Sequence, residues 1–188
     1  MKIKIETSAR HIHLSKKDLE KLFGKGYELK KLKDLSQGGE FAAAETVEVI
    51  GPKKSCKTVR VLGPVRENTQ VELSRTDAIG LGIDAPFRLS GDIKKSAGAL
   101  IKGPKGEIKL KEGVIVAKRH LHISPSDAKK IGVKNKNKVR VEVGGTRGII
   151  FDQVIVRIKP NYHTSMHIDT DEANAAGING AGKGEVIK

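Results

Sequence analysis

Two histidines separated by one residue, His11-Ile12-His13, recur further along the chain as His120-Leu121-His122. In a β-strand residues i and i+2 point to one face, so each pair aims two imidazoles at a common point; on a helix the same spacing sends them to nearly opposite sides. A lone pair is weak evidence and reads more readily as two half-exposed histidines than as part of a metal site. The repetition carries more weight. Ser8–Asp18 (SARHIHLSKKD) lies over Ala117–Asp127 (AKRHLHISPSD), with Arg10, His11, His13, Ser15 and Asp18 recurring as Arg119, His120, His122, Ser124 and Asp127. A weaker repeat sets Glu72–Ile83 (ELSRTDAIGLGI) over His167–Ile178 (HIDTDEANAAGI), which puts Glu72 opposite His167. His11, His13, Glu72, His120, His122 and His167 are together enough nitrogen and oxygen donors for two metal ions, each with protein ligands and an open position. Imidazole with one carboxylate suits zinc best, while iron, cobalt and manganese stay open on ligand type.

Other reactive side chains are less informative. His163 follows Pro160 and Asn161, which argue for a loop or a strand start, and reads as a surface or supporting histidine. Arg66, in Gly63-Pro64-Val65-Arg66 ahead of Glu72, suits a tetrahedral oxyanion or a phosphate held by two parallel hydrogen bonds, though a solvated charge fits the spacing equally. Cys56 sits in a polar turn with no histidine near it in sequence and is a poor nucleophile. No Gly-x-Ser-x-Gly, Walker A or dinucleotide fingerprint occurs.

The elements that must position these groups are mostly strands. Met1–Thr7, Glu45–Ile50, Thr58–Leu62, Gln70–Leu73, Ala99–Ile101, Ile108–Leu110, Gly113–Ala117, Lys138–Val143, Gly148–Phe151 and Gln153–Ile158 are short, rich in Val and Ile, and separated by Gly/Pro turns. Lys16–Phe23, Ser124–Ile131 and Asp169–Ala176 are short amphipathic helices. Ser15 and Ser124 cap the first two, each with Asp three residues on. The pattern predicts a mainly β fold of small barrels or sandwiches capped by short helices. The duplication predicts two similar domains with the site between them.

Composition narrows the function. The chain has 188 residues and a net charge of +14, from 36 Lys and Arg against 22 Asp and Glu. That charge favours anionic partners. Aromatics are only 3% and Trp is absent, which leaves few platforms for stacking bases and argues against nucleic acid. No apolar run approaches the ~18 residues that span a bilayer, so no membrane association is expected. Met1–Glu6 lacks the apolar core of a secretory signal, and a single cysteine rules out a disulfide framework. A cytoplasmic protein is expected.

Ser8–Ser15 (SARHIHLS), Lys31–Gln37 (KLKDLSQ), Val61–Glu72 (VLGPVRENTQVE), Val114–His122 (VIVAKRHLH) and Met166–Ala176 (MHIDTDEANAA) together resemble the phosphate propanoyltransferases of the PduL type. The resemblance runs from about residue 3 to residue 178. It implies two small β-barrel domains capped by short α-helices, with the N-terminal strand joining the C-terminal half. One domain then holds residues 1–9 and 118–188. The other holds residues 10–117, interrupted by a two-stranded lid at about 24–44, where Gly38-Gly39 stands in place of the Pro-Gly common in relatives. His11, His13 and Glu72 match the ligands of one zinc, and His120, His122 and His167 those of a second, in a dinuclear site. Arg66 matches the phosphate-binding, catalytic arginine. Ser8, Lys33, Arg60, Leu62 and Asn174 match positions lining the coenzyme A site. A homodimer is implied. Because Met1 starts at the first strand, the microcompartment-targeting segment of some members is missing, which favours a cytoplasmic role.

The implied reaction converts a short-chain acyl-CoA, propanoyl-CoA or acetyl-CoA, and phosphate to acyl phosphate and coenzyme A. It is reversible and proceeds by direct attack of metal-bound phosphate without an acyl-enzyme. The ligand set alone equally supports a metal-dependent thioesterase or phosphoester hydrolase. A third reading, from another class, is a non-catalytic anion-binding β-barrel module.

Overall fold

A computed structural model describes residues 1–187 of the chain. The chain opens with β1 (Lys2–Ser8), β2 (His11–Ser15) and α1 (Lys16–Phe23). There follow β3 (Lys31–Asp34), β4 (Phe41–Ile50), β5 (Ser55–Arg66), β6 (Gln70–Leu73) and α2 (Arg75–Leu81). Next come β7 (Phe87–Arg88), β8 (Ala97–Lys102), β9 (Glu107–Ala117), β10 (His120–Ile123) and α3 (Pro125–Ile131). The last elements are β11 (Lys138–Val143), β12 (Ile149–Ile158), β13 (Ser165–Asp169), α4 (Thr170–Ala176) and β14 (Ala181–Ile187).

These elements form two compact units, one of residues 10–117 and the other of residues 1–9 with 118–187. In Arg10–Ala117 the strands run β4-β5-β2-β6-β9, and β8 pairs with both β9 and β4, closing a six-stranded ring. β3 and β7 extend from it as short additions. In the other unit β1-β13-β10-β12-β11-β14 close a barrel.

Strand for strand, the two rings match. β2 lies between a parallel neighbour, β5, and an antiparallel one, β6. β10 lies in the same way between β12 and β13. β6 then pairs in parallel with β9, and β13 with β1. The mainly β architecture and the internal duplication expected from the sequence are therefore present. The strand preceding each histidine pair is exchanged: β1 leads into β2 but closes the ring of β10, and β9 leads into β10 but closes the ring of β2.

Alternation along the strands fills each core. Ile12, Leu14, Val61, Val71 and Val116 are buried in one cluster; Ile5, Leu121, Ile123, Phe151 and Met166 are buried in the other. With Ile12 and Leu121 turned inward, period-2 geometry turns the flanking histidines to the opposite face. Leu121 is fully buried. Leu121→Ala is therefore expected to lower unfolding free energy by about 2–5 kcal/mol, read from the midpoint of chemical denaturation.

The helices are short, and Ser15 and Ser124 cap α1 and α3 as expected from the sequence. Ser15, Ser74, Ser124 and Asp169 each accept a hydrogen bond from the backbone N–H three residues on. α2 lies outside the helices expected from the sequence; Gly80 and Gly82 weaken its helical pattern. Ser74 with Asp77 three on carries the same start signal as the other helices. Two pairs of expected strands are continuous. Gly113, at φ 129°, lets β9 run through a conformation other residues avoid. Gln153, at φ 56°, sits in β12 opposite a register shift in β11. β14 was missed because glycine is poor in strands. Gly184 is there for space: a Cβ would meet Ile5 Cδ1 at 2.8 Å and Val141 Cγ1 at 2.9 Å. Among the described residues no helix is long and apolar enough to cross a membrane.

Candidate metal centre

In Arg10–Ala117, antiparallel pairing of β2 with β6 sets His11 opposite Glu72 and His13 opposite Gln70. The donor atoms of His11, His13 and Glu72 all lie within 4.8 Å of one another, and all three side chains are buried. His11 Nε2 is 3.6 Å from Glu72 Oε2. The other carboxylate oxygen, Oε1, accepts a hydrogen bond from Gln70 Nε2 at 2.6 Å. Burial works against the charge on Glu72, but the facing His11 with the Ser90 hydroxyl outweighs it and holds the carboxyl well below its usual range. Burial, reinforced by the charges of His11 and Arg66, pushes His13 down to about 2, so its ring is neutral, as a metal ligand must be.

Arg66 is tied to this group by a chain of hydrogen bonds. Its Nη1 donates to Ser90 Oγ at 3.3 Å, Gln70 Nε2 donates to the same oxygen at 3.0 Å, and Gln70 also holds Glu72. Glu40 pairs with Arg66 Nη2 at 3.2 Å. The sheet register places further expected residues beside the histidines. One row runs Lys33, Ala42, Leu62, His13 and Gln70 across β3, β4, β5, β2 and β6. Arg60 is in register with His11, and its Nη1 donates to the carbonyls of Ala43 and Ala44 at 3.1 and 2.8 Å.

In the other unit β10 and β13 set His120 opposite His167 and His122 opposite Ser165. The His120 and His167 rings stack at 5.3 Å, and the His122 ring centroid is 4.6 Å from that of His120 and 4.7 Å from that of His167. Lys118 O lies 2.9 Å from His120 Nδ1. A carbonyl only accepts, so Nδ1 carries the proton and Nε2 offers its lone pair. Burial pushes His122 far down, and the nearby positive charges of Arg157 and Lys159 add to it. Ser8, on β1, is in register with Asp169, the N-cap of α4, and Asn174 is exposed on that helix. His163 is exposed in the loop between β12 and β13.

Several groups at these clusters carried no sequence signal. Gln70 and Ser165 occupy equivalent positions, and Ser165 Oγ lies 3.1 Å from His167 Nε2 as Gln70 binds Glu72. Tyr162 stacks on His122 at 4.0 Å. The repeated arginines are also used alike: Arg10 Nη1 binds Asp77 Oδ1 of α2 at 2.7 Å, and Arg119 Nε binds Glu172 Oε1 of α4 at 2.6 Å. Each pair ties the start of a His-x-His strand to the helix that follows the strand of the third donor.

The residues fit a metal on one physical test. Buried polar atoms are almost always paired, yet His13 Nδ1 and both ring nitrogens of His122 are buried without a hydrogen-bond partner. A cation among the imidazoles would satisfy such nitrogens.

Two matching strand rings, each presenting a His-x-His strand beside a third donor, define a duplicated β-barrel protein with a histidine cluster in each repeat. Comparison with known proteins makes this specific. The family model for phosphate propanoyltransferase matches residues 4–179. A phosphate propanoyltransferase of Thermotoga maritima is 52% identical over 176 residues, covering 93% of this chain and 84% of the relative. One from Lachnoclostridium phytofermentans is 54% identical over 94% of this chain and 83% of its own. One from Listeria monocytogenes is 47% identical over 99% of this chain and 87% of its own. The chain belongs to the phosphate propanoyltransferase family.

Proposed function

We propose that the protein is a phosphate acyltransferase that reversibly converts propanoyl-CoA or acetyl-CoA and phosphate to acyl phosphate and coenzyme A. The observation that carries this reading is the buried His11–His13–Glu72 donor set with Arg66 tethered to it through Ser90 and Gln70. Relatives at 47% identity and above bear the name phosphate propanoyltransferase, which supports the propanoyl-transferring part of this reading.

Zinc is the ion that this mixture of imidazole and carboxylate favours. His11, His13 and Glu72 hold one ion; His120, His122 and His167 hold a second. When bound, zinc supplies a Lewis acid that fixes phosphate oxygens and offsets their charge. The planar Arg66 guanidinium grips two phosphate oxygens in parallel and orients the nucleophile. Phosphate oxygen then bonds to the thioester carbonyl carbon, the C–S bond breaks, and coenzyme A leaves as its thiolate. Transfer is direct, with no acyl-enzyme. Lys33 and Arg60 supply positive charge for the phosphates of coenzyme A, with Ser8, Leu62 and Asn174 completing its contacts. The segment from Gly24 to Ala44 acts as the lid.

Purified protein given propanoyl-CoA is expected to release coenzyme A only when phosphate is present, with hydroxylamine trapping the acyl phosphate. Release without phosphate would assign a metal-dependent hydrolase instead. Salt-sensitive binding of RNA by a metal-free, inactive protein would assign an anion-binding module. Arg60→Ala is expected to raise KM for acyl-CoA about tenfold while changing kcat less, the signature of uniform binding. Steady-state kinetics in acyl-CoA check this.

A further inference from the structure

The donors His11, His13 and Glu72 ride on a short pairing. β2 and β6 are in register at three positions, His11 with Glu72, Ile12 with Val71 and His13 with Gln70. A slip of one residue would turn one strand's donors to the other face of the sheet.

The two ends of that row are held from outside it. Arg10, the residue before β2, reaches the helix that follows β6: its Nη1 donates to Asp77 Oδ1 of α2 at 2.7 Å. Thr69, the residue before β6, reaches the helix that follows β2: its Oγ1 donates to Asp18 Oδ2 of α1 at 2.6 Å. The same oxygen accepts from the backbone N–H of Ser15 at 3.0 Å, and Ser15 Oγ accepts from the Asp18 N–H at 3.2 Å, which closes a loop of hydrogen bonds. Each strand is thus bolted to the other strand's helix. The pattern recurs around β10 and β13. Arg119, before β10, binds Glu172 of α4, and Thr164, before β13, donates to Asp127 Oδ2 of α3 at 2.7 Å. The acids hold equivalent places: Asp18, Asp77, Asp127 and Glu172 each lie three residues after the N-cap of their helix.

The two kinds of bolt differ in weight. The Arg10–Asp77 pair is partly exposed, where an ion pair adds little. Thr69 is 5% exposed, so removing its hydroxyl strips a partner from Ser15 N–H and from Asp18 where water does not readily replace it. Thr69 also immediately precedes Gln70, whose Nε2 holds Glu72 at 2.6 Å.

We propose that Thr69, latched to Asp18, is a positioning residue for the metal site of His11, His13 and Glu72: the latch keeps β6 in register with β2 so that the three donors stay converged. The inference rests on the reading that these three hold zinc.

Zinc retention against a chromophoric chelator tests it without recourse to activity. Thr69→Val keeps the shape of the side chain and removes the hydroxyl. It is expected to surrender the zinc of this site at chelator concentrations about tenfold lower than wild type, the lower end of what losing a group behind the ligands costs. Asp18→Ala, which opens the latch from the other side, should reproduce the loss. Thr69→Ser, which restores the hydroxyl, should hold the ion as wild type does. With cobalt(II) substituted for zinc, Thr69→Val should change the visible ligand-field bands, and the change should vanish in a His13→Ala background. Ile12→Val loosens the core beneath the same strand and touches neither bolt, so it should keep wild-type retention and wild-type bands. If Thr69→Val and Asp18→Ala match wild type in both readouts while His13→Ala loses one ion, the role of Thr69 is overturned and the metal site stands. If Ile12→Val gives up zinc as readily as Thr69→Val, or Thr69→Ser fails to rescue, the effect belongs to general stability and the role is again overturned. If His13→Ala retains as much zinc as wild type, the site itself is overturned along with the inference.

Discussion

Alanine at His13 is expected to remove one zinc per chain and to lower kcat by about a thousandfold or more, a loss of about 4 kcal/mol of transition-state stabilisation. The size follows from how little the site could compensate. His13 is 2% exposed, and its Nδ1 is buried with no partner in the protein. The ring therefore contributes nothing to the fold's hydrogen bonding at that atom, and under the proposed function its value would lie in the ion. Removing it leaves His11 and Glu72, two donors where a catalytic zinc ordinarily has three. Metal analysis and turnover with propanoyl-CoA should fall together, while circular dichroism and melting stay near wild type. Full turnover with one ion missing would refute the assignment. Prolonged treatment with a strong chelator should reproduce the loss in the wild-type protein, and added zinc should restore it.

Arg66 gives the second large effect. Arg66→Ala is expected to reduce kcat/KM for phosphate by about a hundredfold to a thousandfold, the range for deleting one well-placed charged donor. Arg66→Lys should recover only a small part, because an ammonium cannot present two parallel N–H groups to two oxygens. The hydrogen bonds through Ser90 and Gln70 fix the guanidinium relative to Glu72, so Ser90→Ala should show a milder version of the same phosphate-dependent defect. Initial rates at varied phosphate separate these cases. A change in KM for acyl-CoA alone would move Arg66 out of the phosphate role.

The histidine clusters were legible because period-2 geometry is local: His-x-His on a strand needs no knowledge of the rest of the fold. Glu72 and His167 emerged only through the internal repeat, since nothing in their own neighbourhoods marks them as donors. The supporting residues were not legible for the same reason. Gln70 sits within a predicted strand, but its bond to Glu72 depends on which face the strand presents. Ser90 reaches Arg66 and Gln70 from the stretch after β7, and Glu40 reaches Arg66 across the sheet. Such contacts are fixed by strand pairing, not by spacing. The helix α2 lies outside the helices expected from the sequence although it carries their start signal: Ser74 caps it, with Asp77 three residues on, and Ala78 and Leu81 anchor it in the core.

The crossed-over placement of β1 bears on how a nascent chain becomes organised. Once Ala117 has emerged from the ribosome, every strand needed to close the ring of Arg10–Ala117 has been made. β1, although synthesised first, has neither neighbour until Ser165–Asp169 and Ala181–Ile187 follow. Throughout that interval Ile3 and Ile5 are an unsatisfied apolar edge, the kind of segment that recruits a wrong partner. Lys2 and Lys4 alternate with them, and positive charge on an unpaired edge discourages association with other chains. Lys2 and Lys4 thus stand where gatekeeper charges would guard that edge until β13 and β14 have been made.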